Sequence, residues 1–189
     1  MKNFLLVTAT SFVFSAVLWV VWHFIDTHVL YLTGNGGFFY LPHAARVLCV
    51  IYFGFKAIPG LYLGELVGPY VLDPGLYSFS TLLPSLISVM SVPFALTMLN
   101  SLGLTLGHTR SSPLNRRNYK HIFLITFISA GFNALVVNLY LSRNNLSFPN
   151  AITDIEQVYR FLVGDLIGTM LVFTLLATLL VPVIRQRRA

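Results

Sequence analysis

Apolar residues run almost unbroken through six stretches of this chain, 4–32, 38–55, 57–72, 79–106, 121–141 and 158–184. A helix needs about 20 such residues to cross the hydrocarbon layer of a bilayer, within a working range of roughly 17–25. Five stretches meet that length. At about 1.5 Å per residue the segment 57–72 reaches only some 24 Å, so it reads either as a short span or as a re-entrant piece. The connections carry turn chemistry: Gly34-Asn35-Gly36-Gly37 after the first stretch and Asp73-Pro74-Gly75 after the third. Only 107–120 and 142–157 are long enough to do more than turn the chain. The pattern predicts an all-α fold, a six-helix transmembrane bundle occupying residues 1–189 as a single membrane domain.

Composition narrows the class further. Hydrophobic residues make up 56% of the chain and charged residues 10%, where a soluble domain carries about 25% charged residues. Disordered chains are charge-rich and poor in aromatics, so disorder is excluded by the same figures. The single cysteine, Cys49, excludes an internal disulfide framework and a multi-cysteine zinc site.

The formal charge of +6 does not point to nucleic acid, because the basic residues sit mostly at the edges of the apolar runs. With six spans, Lys2, Lys56, Arg110, Arg116, Arg117, Lys120, Arg185, Arg187 and Arg188 share one face, and no acidic residue joins them. Asp73, Arg143, Asp154 and Glu156 lie on the other. The positive-inside rule then places both termini in the cytoplasm. If segment 57–72 alone were re-entrant, the basic 103–120 loop would face outward, so charge favours six spans. Met1-Lys2-Asn3 and the apolar run behind it resemble a signal peptide, but the run is too long and lacks a small-residue cleavage site before Trp19 and Trp22. The expectation is an uncleaved first span in a multi-pass membrane protein, with Trp19, Trp22 and Tyr31 in its outer half.

Small residues mark the faces on which helices pack closely. Gly60, Gly64 and Gly68 form two consecutive GxxxG steps, and Gly164 and Gly168 form another. Ser11 and Ser15, and Ala130 and Ala134, repeat the spacing. Pro84 and Pro93 are expected to bend the fourth helix, with Ser85, Ser88 or Thr97 as partners for freed carbonyls.

Ionisable groups within the spans are costly and mark sites. Counted inward from the outer end of each span at about 1.5 Å per residue, His43 lies near 8 Å, Asp26 near 9 Å, and Glu65 and Asp165 near 10 Å. By the same rule Arg46 and Asn133 lie near 12 Å and His23 near 14 Å. Five helices thus place polar groups in one layer of the outer half. His43 and Arg46 stand three residues apart, as do His23 and Asp26, so each pair shares a helix face. Structurally, Arg46 would pair with Glu65 or Asp165 to hold the bundle together. Functionally, Asp26, Glu65 and Asp165 against Arg46 leave two negative charges for protons, histidines or a bound cation to neutralise, in a cavity open to the outside.

Catalysis is not expected. There is no HExxH, GxSxG or phosphate loop. His23, Asp26 and Glu65 lack metal-ligand spacing, and no cofactor is implied.

The stretch Tyr40-Leu41-Pro42-His43-Ala44-Ala45-Arg46, followed by Phe53-Gly54-Phe55-Lys56-Ala57-Ile58-Pro59-Gly60-Leu61-Tyr62-Leu63-Gly64, resembles the bacterial MASE1 integral-membrane sensory family. Phe161-Leu162-Val163-Gly164-Asp165-Leu166-Ile167-Gly168 looks like that family's Gly-Asp-x-x-Gly helix. The likeness covers mainly 38–70 and 158–175. It implies a sensory or ligand-binding role for Pro42, Arg46, Gly64, Glu65, Gly164 and Asp165. Family members usually have more spans and a cytoplasmic kinase or cyclase domain, so signalling here would pass through a separate membrane or cytoplasmic protein partner. Two other classes stay open. In architecture the chain is also similar to the substrate-binding subunit of energy-coupling-factor vitamin transporters. A structural subunit of a membrane complex, docking through its glycine stripe, is the third reading.

Overall fold

The computed structural model describes residues 2–29, 39–72, 81–104, 119–143 and 154–186. The turns at 34–37 and 73–75, Tyr31, the basic segment 105–118 and residues 144–153 lie outside the described residues. Every regular element among the described residues is helical: α1 (Lys2–Phe24), α2 (Pro42–Phe53), α3 (Ile58–Leu72), α4 (Leu82–Ser101), α5 (Tyr119–Arg143) and α6 (Asp154–Gln186). A π-helical turn, Ile25–Val29, continues α1, and a 3-10 turn, Gly54–Ala57, joins α2 to α3. Five helical stretches are long and apolar enough to cross a membrane: Asn3–His28, Pro42–Leu72, Leu82–Ser101, Tyr119–Arg143 and Ile155–Leu179. The chain is a multi-pass membrane protein by that measure.

The second of these stretches doubles back on itself. Pro42 opens α2, where its missing N–H costs no helical bond. Gly54 ends the helix at φ 64°, a left-handed conformation that a side chain resists. If 42–72 ran straight, Arg46 and Glu65 would lie about 28 Å apart; instead their side chains meet at 2.8 Å. The arms are short, about 18 Å for the 12 residues of α2 and about 22 Å for the 15 of α3.

Glycine fixes how the hairpin is held. Gly60 lies against the backbone of Thr8 and Phe12, Gly64 against Ser15 and Gly68 against the Trp19 ring, so α1 and α3 run parallel in close register. A Cβ on Gly60 would collide with the Thr8 carbonyl, and one on Gly64 would lie 2.6 Å from the Ser15 Cβ. The expected GxxxG face therefore has α1 as its partner, and Ser15 of the expected small-residue pair on α1 meets it. The hairpin turn also packs against α1.

Helices α4, α5 and α6 pack in sequence, and α2 fills the space between α1 and α6. Pro93 lies inside α4, where Thr97 Oγ1 donates to the Pro93 carbonyl at 2.8 Å. Pro84 falls in the first turn, where backbone N–H groups have no helical partner anyway, so it does not interrupt the helix. The chain carries instead an unexpected Pro69 inside α3, which withholds the N–H that would bond the Glu65 carbonyl. An apolar core of Val47, Val50, Leu61, Val89, Val92 and Ile125 joins α2, α3, α4 and α5.

This packing predicts a contrast between two glycines. Gly64→Val should destabilise the protein by about 1–3 kcal/mol through overpacking against α1. Gly131→Ala, where a Cβ meets nothing within 4 Å, should be neutral or slightly stabilising. Thermal unfolding of both variants in one detergent tests this; equal melting temperatures would contradict the α1–α3 register.

Candidate functional site

The site grows from one residue that never loses its charge. Arg46, one helical turn into α2, is 1% exposed, and a buried guanidinium needs both a counter-charge and acceptors for its five N–H groups. Glu65 on α3 supplies the first through a two-point fork: Arg46 Nε donates to Glu65 Oε1 at 3.0 Å, and Nη2 stands 2.8 Å from Oε2. Tyr40 completes that side. Arg46 Nη2 donates to its hydroxyl at 3.2 Å, and the hydroxyl donates on to Glu65 Oε2 at 3.3 Å. The guanidinium carbon also lies 5.3 Å from the Tyr40 ring centre.

The other side of Arg46 faces His43, one turn earlier on the same helix. Arg46 Nη1 is 3.4 Å from His43 Nδ1, and that nitrogen is also 3.4 Å from Asp165 Oδ2 on α6. His43 Nε2 lies 3.1 Å from Ser129 Oγ, which donates to the Thr126 carbonyl on α5. Asp165 accepts a 2.7 Å bond from Asn133 Nδ2, and Asn133 Oδ1 accepts from Ser88 Oγ of α4 at 2.7 Å. The network runs from α3 through α2 to α6, α5 and α4. His43, Arg46, Glu65, Asn133 and Asp165 are each at most 4% exposed.

Aromatic rings close it toward α1. Trp19, Trp22 and Tyr40 meet edge to face with centroids 5.1–5.4 Å apart, and Trp22 Nε1 donates to the Phe39 carbonyl at 2.7 Å. The backbone before α2 is seated on α6. Tyr40 N donates to the Gly164 carbonyl at 2.8 Å, and a Cβ on Gly168 would strike the Tyr40 backbone. Gly168 thus makes room for the strap that carries Tyr40, and the Gly164 carbonyl holds that strap in place.

Of the residues expected to share a layer, His43, Arg46, Glu65, Asn133 and Asp165 come together. His23 and Asp26 do not: no hydrogen bond or ion pair joins them to the cluster among the described residues. Gly64, next to Glu65, faces Ser15 of α1, and Asp26 lies eleven residues further along, about 16 Å away down the helix. The His23–Asp26 pair belongs to the end of α1 and its π-turn. Tyr40, Ser88 and Ser129 join the network unforeseen: Tyr40 carried a signal inside the Tyr40–Arg46 stretch, and Ser88, expected to serve a freed α4 carbonyl, donates instead to Asn133 Oδ1.

An open polar cavity was expected; the five cluster residues are each at most 4% exposed. The crevice described in the structure is apolar, about 240 Å³, and lies elsewhere, between Phe14 of α1, Leu48 and Tyr52 of α2, and Leu176 of α6. No group of three or more metal-ligating side chains occurs among the described residues. No protein-family model, curated protein or solved structure matches the chain.

Removing Arg46 should strand two carboxylates away from water. Arg46→Met is expected to lower stability by about 3–5 kcal/mol, and adding Glu65→Gln should restore part of that loss. Denaturation of the single and double variants in detergent measures both effects. Unchanged stability in Arg46→Met would mean that the carboxylates are reached by solvent.

Proposed function

We propose that this chain is a MASE1-like sensory or ligand-binding module of a bacterial inner membrane, which signals through a protein partner and performs no catalysis itself. The observation that carries the reading is the meeting of its two family-like stretches. They lie about a hundred residues apart in the chain, yet Tyr40 from one bonds Gly164 of the other and His43 faces Asp165, while Arg46 and Glu65 both bond that same Tyr40. A charged network that ties a short hairpin to three full-length helices links any change in its charge to helix packing.

In this reading the hairpin counts as two short crossings. The chain then crosses six times, both termini are cytoplasmic, and the basic residues collect on the cytoplasmic face. That orientation survives even if the hairpin tip stops short of the far surface, because both arms return to the side they left. The partner docks on the cytoplasmic face, near the start of α5. The ligand is a small molecule or cation that alters the charge balance of the cluster.

The test uses the whole chain in its native membrane. A photo-crosslinking side chain replaces the exposed Tyr119, beside the basic connection, and partner capture is compared with and without Asp165→Asn. Crosslinking should change by about fivefold or more, the low end of ordinary coupling between sites, while insertion and melting temperature hold. Equal capture in a well-inserted Asp165→Asn protein would sink the signalling reading.

A further inference from the structure

The buried network holds one positive charge that cannot dissociate, Arg46, and two carboxylates, Glu65 and Asp165. Glu65 answers Arg46 through the fork, so Asp165 is the surplus. An uncompensated charge this deep is expensive, and among the described residues the other titratable groups facing Asp165 are His43 and, beyond it, Tyr40. Asn133, Ser129 and Ser88 complete the surroundings from α5 and α4 and carry no charge. Asp26 and His23 of α1 make no hydrogen bond or ion pair with the cluster among the described residues.

The decisive geometry is at His43 Nδ1. It stands 3.4 Å from Arg46 Nη1, which can only donate, and 3.4 Å from Asp165 Oδ2, which accepts when ionised. One nitrogen cannot serve both. Without a proton it accepts from Arg46, while Nε2–H donates to Ser129. With a proton it donates to Asp165, and Arg46 Nη1 must turn away toward Tyr40 and Glu65. One added proton therefore neutralises the cluster and exchanges one hydrogen-bond pattern for another.

A second observation supplies a route. Nearer the α5–α6 connection, the same two helices carry two more buried amides, Asn138 (3% exposed) and Gln157 (6% exposed). Asn138 Oδ1 and Gln157 Nε2 have no hydrogen-bond partner among the described residues. A buried amide atom left without a protein partner calls for one such as an ordered water. Counted from the helix ends that meet there, Gln157 lies about 5 Å deep, Asn138 about 8 Å, and Asn133 and Asp165 about 15 Å.

We propose that His43 and Asp165 form a binding site for a single exchangeable proton, reached from the α5–α6 end of the bundle past Gln157, Asn138 and Asn133. The proton comes from water at that end and resides on His43 Nδ1 or the Asp165 carboxyl; no bond other than the O–H or N–H bond is made or broken. This rests on the reading of the cluster as the responsive part of the protein, and it makes a proton the ligand of that site.

The protein reports on itself, because its two tryptophans, Trp19 and Trp22, both pack on Tyr40. In lipid nanodiscs, tryptophan emission and proton uptake are followed as pH is changed between about 8 and about 5, the range where a histidine changes charge. The wild type should show an emission change with uptake of roughly one proton per chain at this site. Asp165→Asn should abolish both while keeping the fold, and Glu65→Gln should do the same as a second, independently folding variant. His43→Gln should keep the uptake and displace its midpoint. The double variant Asn138→Leu, Gln157→Leu should leave the midpoint unchanged and slow the response to a pH jump by about tenfold, the rate equivalent of one lost hydrogen bond in the path. No emission change in the wild type, or an unaltered one in both folded carboxylate variants, overturns the site; an unchanged rate in the double variant overturns the route. Proton uptake with unchanged partner crosslinking refutes the signalling role alone, whereas altered crosslinking without uptake refutes the proton site alone.

Discussion

A guanidinium cannot shed its charge, so placing Arg46 inside an apolar bundle obliges the rest of the chain to come to it. Its planar fork asks for a carboxylate in the same plane, and Glu65 meets it at two points. Its remaining N–H groups reach Tyr40 and His43. Each of these partners must itself be satisfied in a region with no bulk water, which brings in Asp165, Asn133, Ser129 and Ser88 in turn. Six helices could pack in many ways on apolar contacts alone. Few of those arrangements bond every member of this network, so the network selects among them.

The polar network depends on how closely backbones approach. Lipid tails are as apolar as leucine, so burial from water does not press these helices together, and van der Waals contact and hydrogen bonding do more of the work. Gly60 and Gly64 let α3 settle on the α1 backbone, which sets the height of Glu65. Gly168 lets the strap before α2 lie on α6, which sets the height of Tyr40 and, through it, Arg46. Two glycine faces therefore position the two ends of the Arg46–Glu65 pair from opposite sides of the bundle.

Much of the site was readable as depth. Counting residues inward put His43, Arg46, Glu65, Asn133 and Asp165 at one level because each lies on a helix that runs across the bundle with a fixed rise. His23 and Asp26 stay outside the bonded network, because depth along α1 does not say which way its side chains face. The count also passed over Ser88 and Ser129. A serine in an apolar helix is usually bonded to its own backbone, as Ser91 is here, and nothing local distinguishes one that bonds a neighbour. The aromatic cover on the α1 side was equally hidden, because its three rings come from two separate segments.

By itself the sequence determined that the chain is helical and membrane-embedded, where helices begin and end to within a few residues, and which charges would be buried in its spans. These follow from local physics: apolar length against bilayer thickness, proline and glycine at helix ends, and the cost of a charge in hydrocarbon. Only the tertiary structure decided that α2 and α3 form one short hairpin, that the glycine stripe faces α1, and that His43 stands between a donor and an acceptor. Those depend on the rotation of each helix about its axis and on its register against neighbours. Both are set by contacts between residues far apart in the chain, which spacing along a single helix does not encode.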